Sequence, residues 1–221
     1  MDVFEAITLR HSVRSYTDKK IDGEILEQLK KTVDECNSNS GLNIQLCLNE
    51  PEAFSGRMAK YGKFKNVKNY IALVGKNDDK LEEKTGYYGE MIVLKAQQLG
   101  LNSCWVAMSY SKGKSTAKVK SGEKLLMVIA VGFGETNGVS HKNKPIEKLS
   151  SVNGNMPDWF RKGMEAAQLA PTAMNQQKFC FELNANTVTA AAGFGFYTKV
   201  DLGIAKYHFE IGAGKNGWEW K

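Results

Sequence analysis

The stretch LAPTAMNQQKF, residues 169–179, lies near the end of a 221-residue chain and marks a change from helix to strand. The residues before it, MPDWFRKGMEAAQLA at 156–170, have apolar side chains at helical spacing and a proline near the first turn. Pro171 ends that helix, and KFCFEL at 178–183 alternates like a strand. The stretch therefore predicts a turn between a helix and a strand.

The composition of this turn suggests a ligand. Thr172 and Ala173 are small enough for the backbone to approach a flat molecule closely. Asn175 and Gln177 carry amides that both donate and accept hydrogen bonds, which suits the edge of a heteroaromatic ring. The alternative is a helix end whose polar side chains only complete the turn.

A second stretch, RHSVRSY at residues 10–16, gathers cations with no neighbouring carboxylate. Arg10 and Arg14 offer forked donors that suit phosphate, Ser12 adds a hydroxyl, and His11 can donate a hydrogen bond or stack. The stretch follows a short predicted helix, so it lies on a connecting segment, where binding residues concentrate. The alternative is a basic helix terminus that interacts with the helix dipole.

The rest of the chain alternates helical and extended patterns. Helices are predicted over residues 2–9 and over 81–100, with Gly100 at the stop of the latter. Another helix is predicted after Asp22 as N-cap, with Ile25, Leu26, Leu29 and Val33 at helical spacing. Strands are predicted at LNIQLCL, NYIALVG, SCWVAM, LLMVIAVGFG and TVTAAAGFGF, the fourth of them in mid-sheet, and a last helix at VDLGIAKYHFEIGAG. The terminal GWEWK reads as a strand or tail packed on the body.

The order of elements in the last third repeats that of the first part in miniature. Gly86, Ala96 and Gly100 match Gly203, Ala213 and Gly217 at one constant spacing along the chain. Such a long period indicates two related halves and not a solenoid. We therefore expect a first half at 1–149 and a shortened second half at 150–221.

Composition excludes several classes of protein. No apolar run is long enough to span a bilayer, and the N-terminus lacks the apolar core of a signal peptide, so a cytoplasmic location is expected. The four cysteines lie far apart and predict buried free thiols, with no metal site. The net charge is +6, but lysines alternate with acids, which favours a solvated surface over a nucleic-acid or membrane face.

The RHSVRSY segment, the LAPTAMNQQ segment and LGLNSCWVAM at 99–108 together resemble the FMN-dependent nitroreductase family. That resemblance implies an α+β fold in which a mixed sheet is flanked by helices. In ordinary members the Pro-containing segment follows the first core helix, and two subunits share two flavin sites. Here the first-half stretch ECNSNSGLNIQL lacks proline, and the second half lacks the Arg-His-Ser group. The chain therefore resembles a fused, decayed dimer, which implies a monomer with one site.

The resemblance also assigns residues to the flavin. Arg10, His11, Ser12 and Arg14 would hold the phosphate and the ribityl and pyrimidine region. Trp105, Ala107 and Met108 would lie beside the isoalloxazine, with a backbone N–H near Ala107 facing N5. The remaining assignments are the basic pair Lys142 and Lys144 at the phosphate, and Pro171, Thr172, Ala173 and Asn175 closing the ring from the second half. Lys178-Phe179 replaces the family's Pro-Trp.

The activity implied is that of an FMN-dependent oxidoreductase that moves two electrons from NAD(P)H to a nitroaromatic, a quinone or a similar acceptor. FMN would perform the chemistry, so no catalytic side chain is expected, which explains the missing carboxylate. The alternative is a flavin store or sensor without turnover. His141 and His208 are interpreted as surface or core polar residues, and Tyr87 and Tyr88 as packing groups.

Overall fold

The computed structural model describes residues 1–221 as six α-helices and two four-stranded sheets. The helices are α1 (Val3–Leu9), α2 (Gly23–Ser40), α3 (Arg57–Tyr61), α4 (Leu81–Gln98), α5 (Asp158–Gln168) and α6 (Thr198–Ala213). The strands are β1 (Gln45–Cys47), β2 (Tyr70–Lys76), β3 (Asn102–Val106), β4 (Glu123–Gly132), β5 (Ser150–Val152), β6 (Phe179–Asn184), β7 (Thr187–Ala192) and β8 (Glu219–Trp220). The expected α+β class is confirmed. The predicted helices and strands are present to within a few residues, except at the end of one strand, whereas α3 and β5 were not predicted.

The first sheet is antiparallel, with the order β1-β2-β4-β3. Strand β4 lies between β2 and β3, and its residues from Leu125 to Gly132 are all buried. The continuous apolar run LLMVIAVG follows from this position, because both faces of the strand are covered. The prediction that this strand lies in mid-sheet is confirmed.

Strand β3 is an edge strand, and the segment after α1 runs beside its free edge. Ser12 forms a parallel bridge with Ser103, and the Val13 N–H donates to the Ser103 carbonyl at 2.9 Å. The pairing satisfies backbone groups that an edge strand would otherwise expose. It also fixes Ser12 and Arg14 next to the end of β3.

The second sheet, with the order β5-β6-β7-β8, is mixed: its outer pairs are parallel and its central pair antiparallel. The strand predicted through residue 196 ends at Ala192 instead. Residues 193–196 form a loop, in which Gly195 has φ of +159°, a value that L side chains rarely adopt. The alternation of Gly and Phe resembles the alternating pattern of a half-buried strand. In the structure, however, Phe194 is 98% exposed, so its side chain does not pack on a core.

Helices α4 and α6 cross in very close contact, because each presents a glycine to the backbone of the other. A Cβ atom added to Gly86 would lie 2.0 Å from the Val200 carbonyl oxygen, and one added to Gly203 would lie 2.0 Å from the Glu83 carbonyl oxygen. One core of 31 buried residues extends from Ile21 to Phe209, so elements from both ends of the chain share it.

All four cysteines are free, as predicted, and three of them are buried. Cys180 is exposed, so the prediction of burial is wrong for this residue. Its strand, β6, alternates buried and exposed positions, and Cys180 falls on the exposed face. None of the helices combines the length and the apolar character that crossing a membrane requires.

Candidate functional site

A cavity of about 500 Å³ lies between the first sheet and the N-terminal part of α6. Segments distant in sequence meet in its wall: the segment after α1, the end of β3 with the residues after it, the turn after α5, and the start of α6. The lining residues are Ser12, Arg14, Cys104, Trp105, Val106, Ala107, Met108, Met127, Pro171, Thr172, Ala173, Met174, Phe196, Tyr197, Val200, Asp201 and Ile204. The volume is within the range of about 300–1,000 Å³ typical of cofactor and ligand sites.

The part of the cavity wall formed by the segment after α1 carries positive charge. Ser12 and Arg14 are both exposed, and the Arg14 guanidinium has no carboxylate within 4.0 Å. It lies over the Phe64 ring, with its Cζ atom 5.9 Å from the ring centroid. An unpaired guanidinium at the edge of an apolar cavity favours an anionic or electron-rich group of a ligand.

Trp105 forms the part of the wall contributed by β3. Its ring packs against Gly89 of α4 so closely that an added Cβ atom there would lie 2.5 Å from Cη2. The indole Nε1–H donates to Glu90 Oε2 at 2.9 Å. The glycine makes room for the ring and the carboxylate fixes its orientation, so this surface is rigidly held.

Glu90 is the centre of a fully buried polar cluster that sequence reasoning missed. His208 Nε2 lies 2.9 Å from Glu90 Oε1, and Arg10 Nε lies 3.8 Å from the same oxygen. His208 Nδ1 lies 3.1 Å from the Ala166 carbonyl, to which a ring N–H can donate, so the ring is held from both sides. The cluster joins residues of α4, α6 and the segment after α1 behind the cavity wall.

The turn after α5 adopts a strained backbone. Met174, Asn175 and Gln177 have φ values of 51°, 52° and 42°, which cost about 1–2 kcal/mol for a typical non-glycine residue. Lys144 Nζ donates to the carbonyls of Gln176 and Gln177 at 2.7 and 3.0 Å, and the Gln177 N–H donates to Thr172 Oγ1 at 3.1 Å. These bonds hold the turn in a shape that its own residues do not favour.

Asp201, also missed from the sequence, anchors the same turn from α6. Its carboxylate accepts the Ala173 N–H at 2.9 Å and the Gln176 Nε2 donor at 2.7 Å. The same Gln176 amide donates to the Phe196 carbonyl at 2.8 Å, which ties the loop at 193–196 to the turn. Burial raises the pKa of Asp201 to about 6, although the two hydrogen bonds oppose that shift.

Large apolar side chains are exposed around the mouth of the cavity. Met108 is 65% exposed, Met174 83% and Phe196 75%, and all three belong to the lining. Exposed apolar groups that cluster at a cavity are typical of a ligand site. The mouth thus favours an apolar, planar molecule over a small ion.

The structure brings together eight of the thirteen residues predicted at the site. Those that line the cavity are Ser12, Arg14, Trp105, Ala107, Met108, Pro171, Thr172 and Ala173. Ser12 and Arg14 come from the first stretch and the last three from the turn after α5. The two stretches highlighted by the sequence therefore face one cavity.

The other five predicted residues lie outside the lining. The buried Arg10 side chain pairs with Glu90, and its Nε has no hydrogen-bond partner. Asn175 Nδ2 donates to the carbonyl of the exposed Lys142 at 2.9 Å, while Lys144 holds the turn. Burial, with a smaller effect of the Arg10 charge, lowers the pKa of His11, so its neutral form is favoured.

Of the two missed carboxylates, only Glu90 carried a recognisable sequence signal. Glu90 is a lone acid within the apolar run GEMIVLKA, which is typical of a buried and paired carboxylate. Asp201 offered no such signal, because an acid in the first turn of a helix is usually explained by the helix dipole.

These elements define an α+β protein with a cavity suited to an anionic, planar cofactor. The chain belongs to the family described as "Putative TM nitroreductase", whose model matches residues 2–213. The resemblance to nitroreductases is thereby confirmed at the level of the family. Comparison with proteins of curated function finds no matching sequence.

Solved structures share the fold. A "putative nitroreductase" from Thermotoga maritima superposes with a TM-score of 0.67 at 23% identity, covering 96% of this chain and 83% of that one. A "putative nitroreductase in complex with FMN" from Desulfovibrio desulfuricans gives 0.56 at 18% identity, with 71% and 99% covered. A nitroreductase family protein from Streptococcus pneumoniae gives 0.54 at 14% identity, with 67% and 98% covered.

Proposed function

We propose that this protein is an FMN-dependent oxidoreductase that moves two electrons from NAD(P)H to a nitroaromatic, a quinone or a similar acceptor. One observation carries the proposal: Ser12 and Arg14 from one end of the chain and Pro171, Thr172 and Ala173 from the other line a single cavity. Family membership and the FMN complex of the Desulfovibrio desulfuricans protein point to the same cofactor.

The residues present fit FMN in size and in chemistry. The cavity is mostly apolar, as a flat ring system requires, and the free Arg14 guanidinium offers charge at one edge. Ser12, Arg14 and the turn at 171–173 would hold the cofactor, with Trp105, Ala107 and Met108 beside its ring.

When bound, FMN would supply the electron-transfer chemistry, as flavins do. The protein's own contribution is to position the ring, exclude water and stabilise negative charge. Arg14 provides a cation in a cavity of low polarity, where charge interactions are stronger than in water. The Trp105 surface, held by Glu90, limits the positions that a planar ligand can adopt. The roles of Arg10 and His11 at the phosphate and the ribityl and pyrimidine region remain predictions. So do those of Lys142 and Lys144 at the phosphate and of Asn175 at the ring.

We further propose that the chain consists of two related halves, 1–149 and 150–221, which together form one site in a monomer. The contacts between α4 and α6 support it, because they are reciprocal. Gly86 meets the Val200 carbonyl and Gly203 meets the Glu83 carbonyl, and in each helix the residue with this carbonyl precedes the glycine by three positions. Reciprocal contacts of this kind are typical of two-fold interfaces between identical subunits. A cytoplasmic location agrees with four free cysteines.

Absorbance spectroscopy of the purified chain tests the proposal. We expect a flavin band that bleaches when NADH or NADPH is added without oxygen. A band that persists would point instead to a flavin store or sensor, and a chain that takes up no FMN would refute the flavin assignment.

Variants that fill the cavity from each side test where the flavin binds. We expect Ala107→Phe and Ala173→Phe each to lower FMN affinity at least tenfold, since both positions line the cavity. Ala191→Phe is the matched control, because Ala191 is exposed on β7 and does not line the cavity. Equal FMN affinity in all three variants would place the flavin elsewhere.

A further inference from the structure

The loop between β7 and α6, residues 193–196, displays two phenylalanine rings to solvent. Phe194 is 98% exposed and Phe196 is 75% exposed, although the burial of such rings is favourable. Phe194 lies outside the lining of the cavity, so the cavity does not account for its exposure. Met174, on the turn after α5, is 83% exposed and lies with Phe196 at the cavity mouth. These three side chains form an apolar surface, which we call the Phe194 patch.

The protein holds this loop in place through its backbone. Lys178 Nζ donates to the Phe194 carbonyl at 2.9 Å, and Gln176 Nε2 donates to the Phe196 carbonyl at 2.8 Å. Gly195 between them has φ of +159°, so a glycine sets the shape of the loop. Because the anchors act on the backbone, both rings stay in solvent and are available to a partner. Exposed apolar surfaces of this kind mark sites of interaction with proteins or membranes.

The Phe194 patch lies in a part of the molecule without exposed negative charge. Its side chains belong to two stretches, residues 166–181 and 183–200, that contain no acidic residue. The same holds for residues 91–122, which include β3 at the cavity. Asp201, directly after the second stretch, is only 3% exposed. Although lysines alternate with acids elsewhere in the sequence, the fold thus gathers stretches that carry no acid.

Two lysines that have no part in the cofactor site stand beside the patch. The Lys178 ammonium contacts the loop at the Phe194 carbonyl, and Lys199 is exposed in the first turn of α6, close in sequence to Phe196. Neither lysine has a carboxylate within 4.0 Å. Exposed apolar side chains next to unpaired cations are typical of surfaces that bind anionic membranes.

We propose that the Phe194 patch docks this protein on an anionic membrane surface. Phe194, Phe196 and Met174 enter the boundary between headgroups and acyl chains, while Lys178 and Lys199 face the lipid phosphates. Side chains with so few protein neighbours suit insertion among lipid chains. An acidic protein is the other partner of matching charge, and binding to protein-free vesicles separates the two.

Docking in this orientation turns the cavity mouth toward the bilayer, because Phe196 and Met174 belong to both the patch and the cavity lining. An apolar acceptor dissolved in lipid then reaches the cavity without crossing water. This consequence rests on the proposed function and favours a lipid-soluble quinone among the acceptors. NAD(P)H supplies a hydride and water supplies a proton, which together reduce the quinone to a quinol. The docking itself is independent of the cofactor.

Cosedimentation of the purified chain, with FMN added, with lipid vesicles tests the docking. We expect the chain to bind vesicles that contain phosphatidylserine about tenfold more tightly than vesicles of phosphatidylcholine alone. Phe194→Ser should weaken binding about tenfold, since the ring loses its transfer into lipid and has no packing to lose in the fold. Phe4→Ser is the matched control, with unchanged binding expected, because Phe4 is 56% exposed on α1 and does not line the cavity.

The charge contribution is tested in the same assay. Lys199→Gln should weaken binding to phosphatidylserine vesicles about fivefold and leave binding to phosphatidylcholine unchanged. Lys215→Gln should have no effect, because Lys215 is exposed beyond the opposite end of α6. Added salt should weaken binding to the anionic vesicles.

Four results would overturn the docking. Absence of binding to phosphatidylserine vesicles would leave an acidic protein as the partner of the patch. Equal losses in Phe194→Ser and Phe4→Ser would show that the patch is not the contact. Binding that Phe194→Ser does not change would be adsorption by charge alone. Equal losses in Lys199→Gln and Lys215→Gln would show that the cations beside the patch have no special role.

The flavin absorbance of the same samples separates the docking from the proposed function. Vesicle binding that depends on Phe194 in a chain without FMN would support the docking and refute the flavin. FMN uptake without vesicle binding would overturn the docking alone. With a prenylated quinone in the vesicles, NADH oxidation should be slower in Phe194→Ser, while reduction of a water-soluble quinone should be unchanged. An equal loss with both quinones would refute delivery of the acceptor from lipid.

Discussion

Gly203→Ala tests the crossing of α4 and α6, on which the shape of the cavity depends. The added methyl group would lie 2.0 Å from the Glu83 carbonyl oxygen and 2.8 Å from the Tyr87 nitrogen, both backbone atoms that cannot rotate away. Ordinary contacts begin at 3.4 Å, so the helices must separate by about 1.4 Å at this point. Such a movement disrupts packing along the whole crossing.

The expected magnitude follows from two opposing effects. Overpacking a close contact costs about 3 kcal/mol at the upper end of the usual range, while alanine is better than glycine in a helix by about 1 kcal/mol. The free energy of unfolding should therefore fall by about 2 kcal/mol. For a chain of this length, that corresponds to a loss of about 4–8 °C in Tm.

Urea unfolding followed by circular dichroism measures this change, with Gly113→Ala as the control. Gly113 has no atom within 4 Å of an added Cβ and no positive φ, so alanine there should be neutral or slightly stabilising. Gly86→Ala should behave like Gly203→Ala, because its contact is the reciprocal one. If Gly203→Ala were as stable as the parent or more so, the close helix crossing would be wrong.

Two further predictions concern the buried carboxylates. Glu90→Gln should lower the free energy of unfolding by about 3 kcal/mol, because the buried Arg10 loses its counter-charge and His208 loses its carboxylate partner. Glu83→Gln, in a half-exposed pair with Lys206, should cost under about 1 kcal/mol, and thermal unfolding that shows equal losses would contradict this. The raised pKa of Asp201 means that its native state binds the extra proton, so its contribution to stability falls as pH rises from about 4 to about 6. Asp201→Asn should therefore gain about 2 kcal/mol relative to the parent between pH 4 and pH 8 in urea titrations, and a difference independent of pH would refute the shift.

Much of the local structure was predictable because it depends on local patterns. The apolar spacing that produced α4, and the run of β-branched residues that produced β4, act within a few residues of each other. The prediction of a strand through residue 196 was wrong for a related reason. Alternating Gly and Phe residues resemble a strand locally, but they do not show whether a neighbouring strand is available for pairing. Pairing ended at Ala192, and the side chains beyond it remained exposed.

The two stretches that face the cavity were recognisable from their residue types. Cations without acids at 10–16, and a proline followed by small residues at 171–173, are visible in the sequence because each lies within one short segment. Their meeting in one cavity was expected only through a resemblance to a family, since no local pattern relates segments so far apart.

What the sequence determined by itself is the order of helices and strands and the chemistry of the two site segments. Only the tertiary structure decided that Arg10 lies against the buried Glu90, that Asp201 anchors the turn after α5, and that the Lys144 ammonium holds backbone carbonyls. The physical reason is that a side chain's role depends on its burial and on its partners. Both depend on segments that are distant in sequence and meet only in the folded chain, as α4 and α6 do where they cross at backbone contact.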